Sequence, residues 1–386
     1  MGEQTPGVTA TAPGTPLRWS EGLAAAAIGW VAARLAVAAG FVSAHLLSGR
    51  VDMPDGRLHL DEGLLTWDGT FYRVITEGWY AGPEVPTDAV RFFPGYPALA
   101  RALEPLMFGN ADLALLLIAN AAALAAGVML WRLASEVTGD STVGVRAAWM
   151  VAVIPAANVM AFAYTESLMM LMVALCLLAL HRGSPGWAAA LGLAAGLLRP
   201  QGVLLAVPVA IEAWRWWRST DRREPSRVAA WAAATVAPVA GLATAMWVVS
   251  RRTGDVFEAF TIQRQLRDGF RDPVTRIGQA FWDFTQGSLH DVYNVAFALG
   301  FLALFVIAVR RHQPLSWLAF MAATWLVAVG GNNMDSVGRY CVVAAPFAIA
   351  LAQWARSNGR QVAVAVVGLG GTIWFTTEVM LGRIVP

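Results

Sequence analysis

The run Ala111-Asp-Leu-Ala-Leu-Leu-Leu-Ile-Ala-Asn-Ala-Ala-Ala-Leu-Ala-Ala-Gly-Val-Met-Leu-Trp-Arg-Leu133 decides the fold class. It is apolar for 23 residues apart from Asn120, with charges only near its ends. A stretch of about 20 such residues crosses a bilayer as a helix, because hydrocarbon tolerates only backbone whose hydrogen bonds are satisfied internally. Working outward, comparable runs occur at 21–47, 144–163, 164–181, 227–250, 291–309, 314–330, 340–355 and 361–381. Between 186 and 217 the apolar pattern is broken by Arg199-Pro200-Gln201-Gly202, which predicts two short helices, 186–198 and 201–217. The expectation is an all-α polytopic membrane protein with about 11 spans, forming one transmembrane domain over 21–386 behind a disordered cytoplasmic tail, 1–20.

Composition agrees. Of 386 residues 57% are hydrophobic and 14% charged, against about 25% charged in soluble domains. No lysine occurs, so every basic side chain but histidine is arginine. This excludes a P-loop and a Schiff-base mechanism. A formal charge of +2 gives no reason to expect nucleic acid. Two cysteines, Cys176 and Cys341, are too few for a disulfide framework or a zinc cluster.

With the N-terminus cytoplasmic, the short links at 182–185, 215–227, 310–313 and 356–360 fall inside and are rich in arginine, as the positive-inside rule requires. Nineteen of the 26 acids then fall outside. Most of these lie in two longer outer segments, 48–110 and 251–290; the second also carries Arg251, Arg252, Arg264, Arg267, Arg271 and Arg276. Long loops in compact folds are usually functional. The first carries Leu60-Asp61-Glu62, then Trp67-Asp68-Gly-Thr-Phe-Tyr72-Arg-Val-Ile-Thr-Glu-Gly78-Trp-Tyr80, then Arg91-Phe-Phe-Pro-Gly-Tyr-Pro97. Asp68 reads as the N-cap of a short interfacial helix ending at Gly78, and 97–107 as a second such helix. Three further charges, Glu166, Arg199 and Arg339, sit at outer span ends. Alone, each reads as a helix-terminal or snorkelling charge; together on one face they read as a site. Arg34 lies mid-span and faces the bundle interior. His59 beside Asp61 is the nearest approach to a metal-ligand pair, and no metal or cofactor is expected.

The first-loop pair of motifs resembles the PIG-V family of mannosyltransferases. Tyr164-Thr165-Glu166-Ser167, Arg199-Pro200-Gln201-Gly202 and Arg339-Tyr340 match its later segments in the same order, over roughly residues 60–350. Thr76, Trp79, Arg91 and Leu198 depart from its pattern, but no charged motif residue is lost. The resemblance implies a GT-C-like bundle and an extracytoplasmic active site in the cell membrane. It also implies a polyprenyl-phosphate-mannose donor and a lipid-anchored acceptor. Asp68 would be the general base, with Asp61 as the alternative. Glycosyl transfer from a lipid phosphate also needs fixed positive charge for the leaving group, and arginine's planar fork suits phosphate. Arg339 and Arg199 are therefore the donor-phosphate candidates, with Glu166, Trp67, Tyr72 and Tyr340 as substrate-binding candidates. Two rival readings are a transporter or flippase of a lipid-linked sugar and a non-catalytic subunit of a glycan-assembly complex. The first would call for paired broken helices, and the sequence displays one broken run. The Gly192-Leu-Ala-Ala-Gly196 motif serves helix association on any reading.

Overall fold

A computed structural model describes residues 17–222, 224–266, 269, 271–286, 292–331 and 334–386. Most of the expected tail and Arg267 thus lie outside the described residues. Helix α1 (Trp19–Leu47) leads into a loop carrying α2 (Leu58–Glu62), α3 (Asp68–Gly78) and α4 (Gly95–Leu103). There follow α5 (Ala111–Thr138), α6 (Ser141–Val153), α7 (Glu166–His181), α8 (Pro185–Leu198), α9 (Ala206–Ser219) and α10 (Pro225–Thr253). After α11 (Glu258–Leu266) and α12 (Pro273–Thr285) come α13 (Val292–Arg310), α14 (Leu315–Val329), α15 (Val337–Val342), α16 (Ala345–Trp354) and α17 (Asn358–Met380). The described residues form no β-strand.

The chain is an all-α polytopic membrane protein, as its surface shows. On α1 the small residues Ala25, Ala26, Gly29, Ala33, Ala36 and Gly40 face the protein, while Ile28, Val31, Leu35, Val42 and Leu46 are exposed. Small residues let helices approach closely, and the large ones present an apolar stripe that lipid covers. Five helices, α1, α5, α10, α13 and α17, are long and apolar enough to cross a membrane unaided. Five apolar helices are shorter, with 10 to 16 residues. Each expected span has a helical counterpart, but three are divided, 201–217 among them because it opens as the 3-10 turn Pro200–Leu205 before α9. The run 144–163 stops being α-helical at Val153, because Pro155 offers no N–H, and continues as a 3-10 turn over Pro155–Met160. This is a second broken helix, which the sequence reading did not anticipate. Residues 340–355 are split between α15 and α16 at Ala344, with Pro346 in the first turn of α16.

The short helices stop below the ends of the long ones, and the resulting step is the recess into which the first loop packs. One end is tied together by tight turns: Glu136 at the end of α5 pairs with Arg182 after α7 at 2.6 Å, and Arg227 of α10 reaches the Gly183 carbonyl. From that end, α5 and α10 rise about 42 Å at ~1.5 Å per residue, whereas α6, α7 and α8 rise only about 20–24 Å. Above the short helices the first loop packs inward. The buried face of α3, with Tyr72 and Ile75, joins Tyr96 of α4, Leu115 of α5 and Val249 of α10 in one apolar cluster. The expected interfacial helix thus rests on protein along that face.

Within the bundle Gly192 and Gly196 associate α8 with α10. A Cβ on Gly196 would lie 2.3 Å from the Pro238 carbonyl oxygen, so the crossing requires glycine there. Among the described residues Arg34 has no carboxylate partner; its Nε donates to Asn120 Oδ1 at 2.9 Å and its Nη2 to the Met160 carbonyl at 2.8 Å. That carbonyl closes the 3-10 break after α6, so the second broken helix supplies an acceptor for the interior charge.

Candidate active site

At the floor of the recess four charged side chains from four separate segments meet. Glu166 opens α7, Arg199 follows α8, Arg339 lies in α15 and Asp68 opens α3. Arg339 Nη2 is 2.7 Å from Asp68 Oδ2, and its Nε is 2.9 Å from Glu166 Oε1. The Nε–H direction is not aligned for a hydrogen bond, so this second contact is an ion pair by proximity. Arg199 Nη1 donates to the same Glu166 oxygen and lies 3.4 Å from Thr165 Oγ1. Glu166 is thus held by two guanidinium groups while its other oxygen, Oε2, is buried without a hydrogen-bond partner among the described residues.

Local sequence explains each placement. At Arg199 the chain is extended, and Pro200 then begins a 3-10 turn that folds back on α8. The turn closes through the Gly202 amide on the Arg199 carbonyl at 2.9 Å, with Gly202 so close to the Ala195 carbonyl that any Cβ would collide. Gln201 donates from Nε2 to the Tyr340 carbonyl at 2.7 Å, tying this turn to α15. The Arg-Pro-Gln-Gly break is therefore a bracket that fixes both arginines. Their guanidinium groups also lie over aromatic rings, Arg199 over Tyr340 at 5.2 Å and Arg339 over Tyr164 at 5.4 Å. Such contacts hold a cation without neutralising it.

Asp68 is not the N-cap the sequence suggested. Trp67 occupies that position at φ 57°, a conformation costly for a residue with a Cβ, and Asp68 is the first helical residue. The Asp68 amide is satisfied by the Tyr164 hydroxyl at 3.3 Å, and that hydroxyl donates to the Thr66 carbonyl at 3.2 Å. The carboxylate is left to Arg339. The helix end also differs: Gly78 keeps a negative φ, and Trp79 takes the positive φ of 52°. Asp61 sits on α2, exposed, with no ion pair among the described residues. His59 turns away from it; Nδ1 lies 2.6 Å from Thr66 Oγ1 and Nε2 3.1 Å from Asp55.

The aromatic candidates divide. Tyr340 is half-buried under Arg199. Trp67 stacks on His59 with centroids 4.2 Å apart and gives its Nε1 hydrogen to the Val379 carbonyl. Tyr72 is buried, with its hydroxyl 3.3 Å from Thr165 Oγ1 and its ring edge-on to Phe92 and Tyr96. Burial raises the Tyr72 pKa above the ordinary phenol value. Arg199 opposes this, while Asp68 and Glu166 reinforce it, so the hydroxyl stays protonated and is no base. Burial works to lower the Arg339 pKa, but Asp68 and Glu166 raise it further, and the side chain remains a cation. Sequence reasoning quoted Tyr164 and Thr165 but gave them no role; an aromatic and a hydroxyl directly before the acid in a short turn was the available signal.

The carboxylates differ in access. The Glu166 side chain is 1% exposed and that of Asp68 22%, so only Asp68 can meet an incoming group without rearrangement. Among the described residues no group of three or more His, Cys, Asp or Glu side chains could hold a metal ion.

No family model matches the chain, and no curated protein matches its sequence. Solved structures similar to it include the archaeal oligosaccharyltransferase AglB from Archaeoglobus fulgidus, bound to an inhibitory peptide and a dolichol-phosphate. That match covers 94% of this chain and 56% of the other, at 14% identity and TM-score 0.46. The Archaeoglobus fulgidus oligosaccharyltransferase tethered to an acceptor peptide gives 91% and 56%, 13% identity and TM-score 0.45. Its complex with Zn and sulfate gives 89% and 53%, 15% identity and TM-score 0.43. The chain spans little more than half the length of these proteins. At TM-scores under 0.5, the likeness carries no argument about this chain's fold or chemistry.

Proposed function

We propose that the protein is a membrane glycosyltransferase of the GT-C kind. On this reading it moves mannose from polyprenyl-phosphate-mannose to a lipid-anchored acceptor on the extracytoplasmic face. One observation carries the reading: Arg339 is paired with both Asp68 and Glu166, and Arg199 shares the same Glu166 oxygen. Two cations and two carboxylates leave the site neutral. A lipid-phosphate donor adds negative charge that the arginines alone can answer.

The chemistry follows from that balance. The acceptor hydroxyl attacks the anomeric carbon, the bond from that carbon to the phosphate oxygen breaks, and its electron pair leaves with the phosphate. Asp68 takes the hydroxyl proton, and Arg339 and Arg199 stabilise the charge on the leaving group. A single displacement inverts the anomeric centre and needs one carboxylate base. In this structure Arg339 occupies Asp68. Donor phosphate competing for that guanidinium would release the carboxylate to accept the proton, so donor binding precedes base action. Glu166, buried and without room for substrate on Oε1, positions both arginines. The prenyl chain would enter laterally between helices, since the recess is walled by lipid-exposed helices.

The test is transfer itself. Purified, monodisperse protein is incubated with labelled polyprenyl-phosphate-mannose and a membrane lipid extract. Label moves to a lipid in wild type and in Asp61→Asn, and is lost in Asp68→Asn. Equal transfer by Asp68→Asn would refute this base assignment, and no transfer by wild type would favour the transporter or subunit readings.

A further inference from the structure

The opposite end of the bundle carries a second polar feature. A cavity of about 290 Å³ opens between the α5–α6 turn, the α13–α14 turn and the end of α16, lined in part by Asp140, Arg311, Gln313, Gln353 and Arg356. Arg311 and Arg356 reach it from separate segments, and among the described residues neither is in an ion pair. Among the described residues Asp140 is the only carboxylate lining it, and its Oδ1 is committed to capping α6 through the Thr142 amide at 2.9 Å and hydroxyl at 2.7 Å. Arg146 lies close enough to add to the charge; its Nε is held by the Ala352 carbonyl at 3.0 Å on α16. The wall is built as well as charged. Gln313 is 6% exposed and donates from Nε2 to Gln353 Oε1 at 3.1 Å, while its own Oε1 has no hydrogen-bond partner among the described residues.

We infer that this cavity binds a glycerophosphate group. Two guanidinium groups without carboxylate partners suit a phosphate ester, which takes paired N–H donors. Carboxylate and amide acceptors beside them suit the hydroxyls of a small polyol, and a buried polar wall is what separates a site from a surface charge pair. The volume of about 290 Å³ lies just below the roughly 300–1,000 Å³ of pockets for drug-sized ligands, enough for a headgroup-sized group. The group is either the headgroup of phosphatidylglycerol from the adjoining leaflet or a soluble glycerol phosphate. The inference does not depend on the proposed transfer reaction.

The full chain is examined by native mass spectrometry after equilibration with equal phosphatidylglycerol and phosphatidylcholine, and by thermal melting with sn-glycerol 3-phosphate. A lipid ligand predicts preferential retention of phosphatidylglycerol, falling by about fivefold or more in Arg311→Ala/Arg356→Ala. The retention persists in Arg215→Ala/Arg218→Ala, a control pair on the exposed end of α9. A soluble ligand predicts a rise in Tm of about 3 °C at about 10 mM, absent from the double variant. Should the double variant not fold, Arg356→Gln alone carries the comparison, with a loss of about threefold. No preference and no shift in wild type overturns the inference. So does an effect that survives in the double variant, or one that the control pair also loses.

Discussion

The two ends of the bundle use arginine in opposite ways. In the recess Arg339 and Arg199 are buried, and their charges are matched by Asp68 and Glu166 drawn from distant segments. At the other end Arg311 and Arg356 are exposed beside a cavity whose only carboxylate is largely committed to a helix cap. The charge is the same, but the consequence of removing it differs. A deletion in the recess strands a buried carboxylate, whereas a deletion at the rim strands nothing. The recess residues are bound to one another by the fold, and the rim arginines are in no ion pair among the described residues.

The comparison is broken most severely by Arg339→Ala. It leaves Asp68 and Glu166 without their shared cation, and removing one partner of a buried pair costs about 3–5 kcal/mol. Transfer per folded molecule is expected to fall by about 10³-fold or more, read by the labelled-donor assay beside a melting curve. Arg339→Lys restores the charge but not the fork that spans two carboxylates, and recovers only part of the loss. Arg199→Ala removes the second phosphate candidate and unpins Glu166; a loss of about 10²-fold is expected in the same assay.

Gly196→Ala probes the scaffold instead of the charges. The added methyl meets the Pro238 carbonyl and forces α8 from α10, lowering stability by about 1–3 kcal/mol. Melting should shift, while transfer per folded molecule falls less than in either arginine variant. Smallest of all, Arg311→Ala/Arg356→Ala should change stability in detergent without added glycerophosphate by no more than about 0.5 kcal/mol. Transfer should remain within about twofold of wild type, because these side chains lie at the far end of the bundle.

Much of the fold was legible because apolar run length reports directly on helices in lipid. The 111–133 run and most of its companions each correspond to one helix, while 144–163, 201–217 and 340–355 are divided. The break at Pro200 was legible because polar Arg199 and Gln201 flank a proline that removes a donor, whereas Pro155 removes a donor without polar neighbours. An apolar sequence flanks Pro155 on both sides, so hydropathy alone does not register the break. The charged residues of the cluster were legible as rare charges at span ends. Their partnership was not: which carboxylate meets which arginine depends on how far α7 and α8 fall short of α5 and α10, and that is a property of packing. Asp68 shows the limit most clearly. Its position before an amphipathic helix is that of a cap, but the backbone at Trp67 turns so that Tyr164 satisfies the amide and the carboxylate goes to Arg339.

The central claim is that Asp68 acts as the base while the arginines hold the donor phosphate, so binding and chemistry separate between these residues. The most direct measurement is donor affinity and single-turnover transfer on the same preparations of wild type, Asp68→Asn and Arg339→Gln. Asp68→Asn should hold polyprenyl-phosphate-mannose at least as tightly as wild type, since Arg339 loses its competing carboxylate, while transferring about 10²–10⁴-fold more slowly. Arg339→Gln should lose donor affinity itself. Transfer by Asp68→Asn at the wild-type rate, or donor affinity unchanged in Arg339→Gln, would contradict the account.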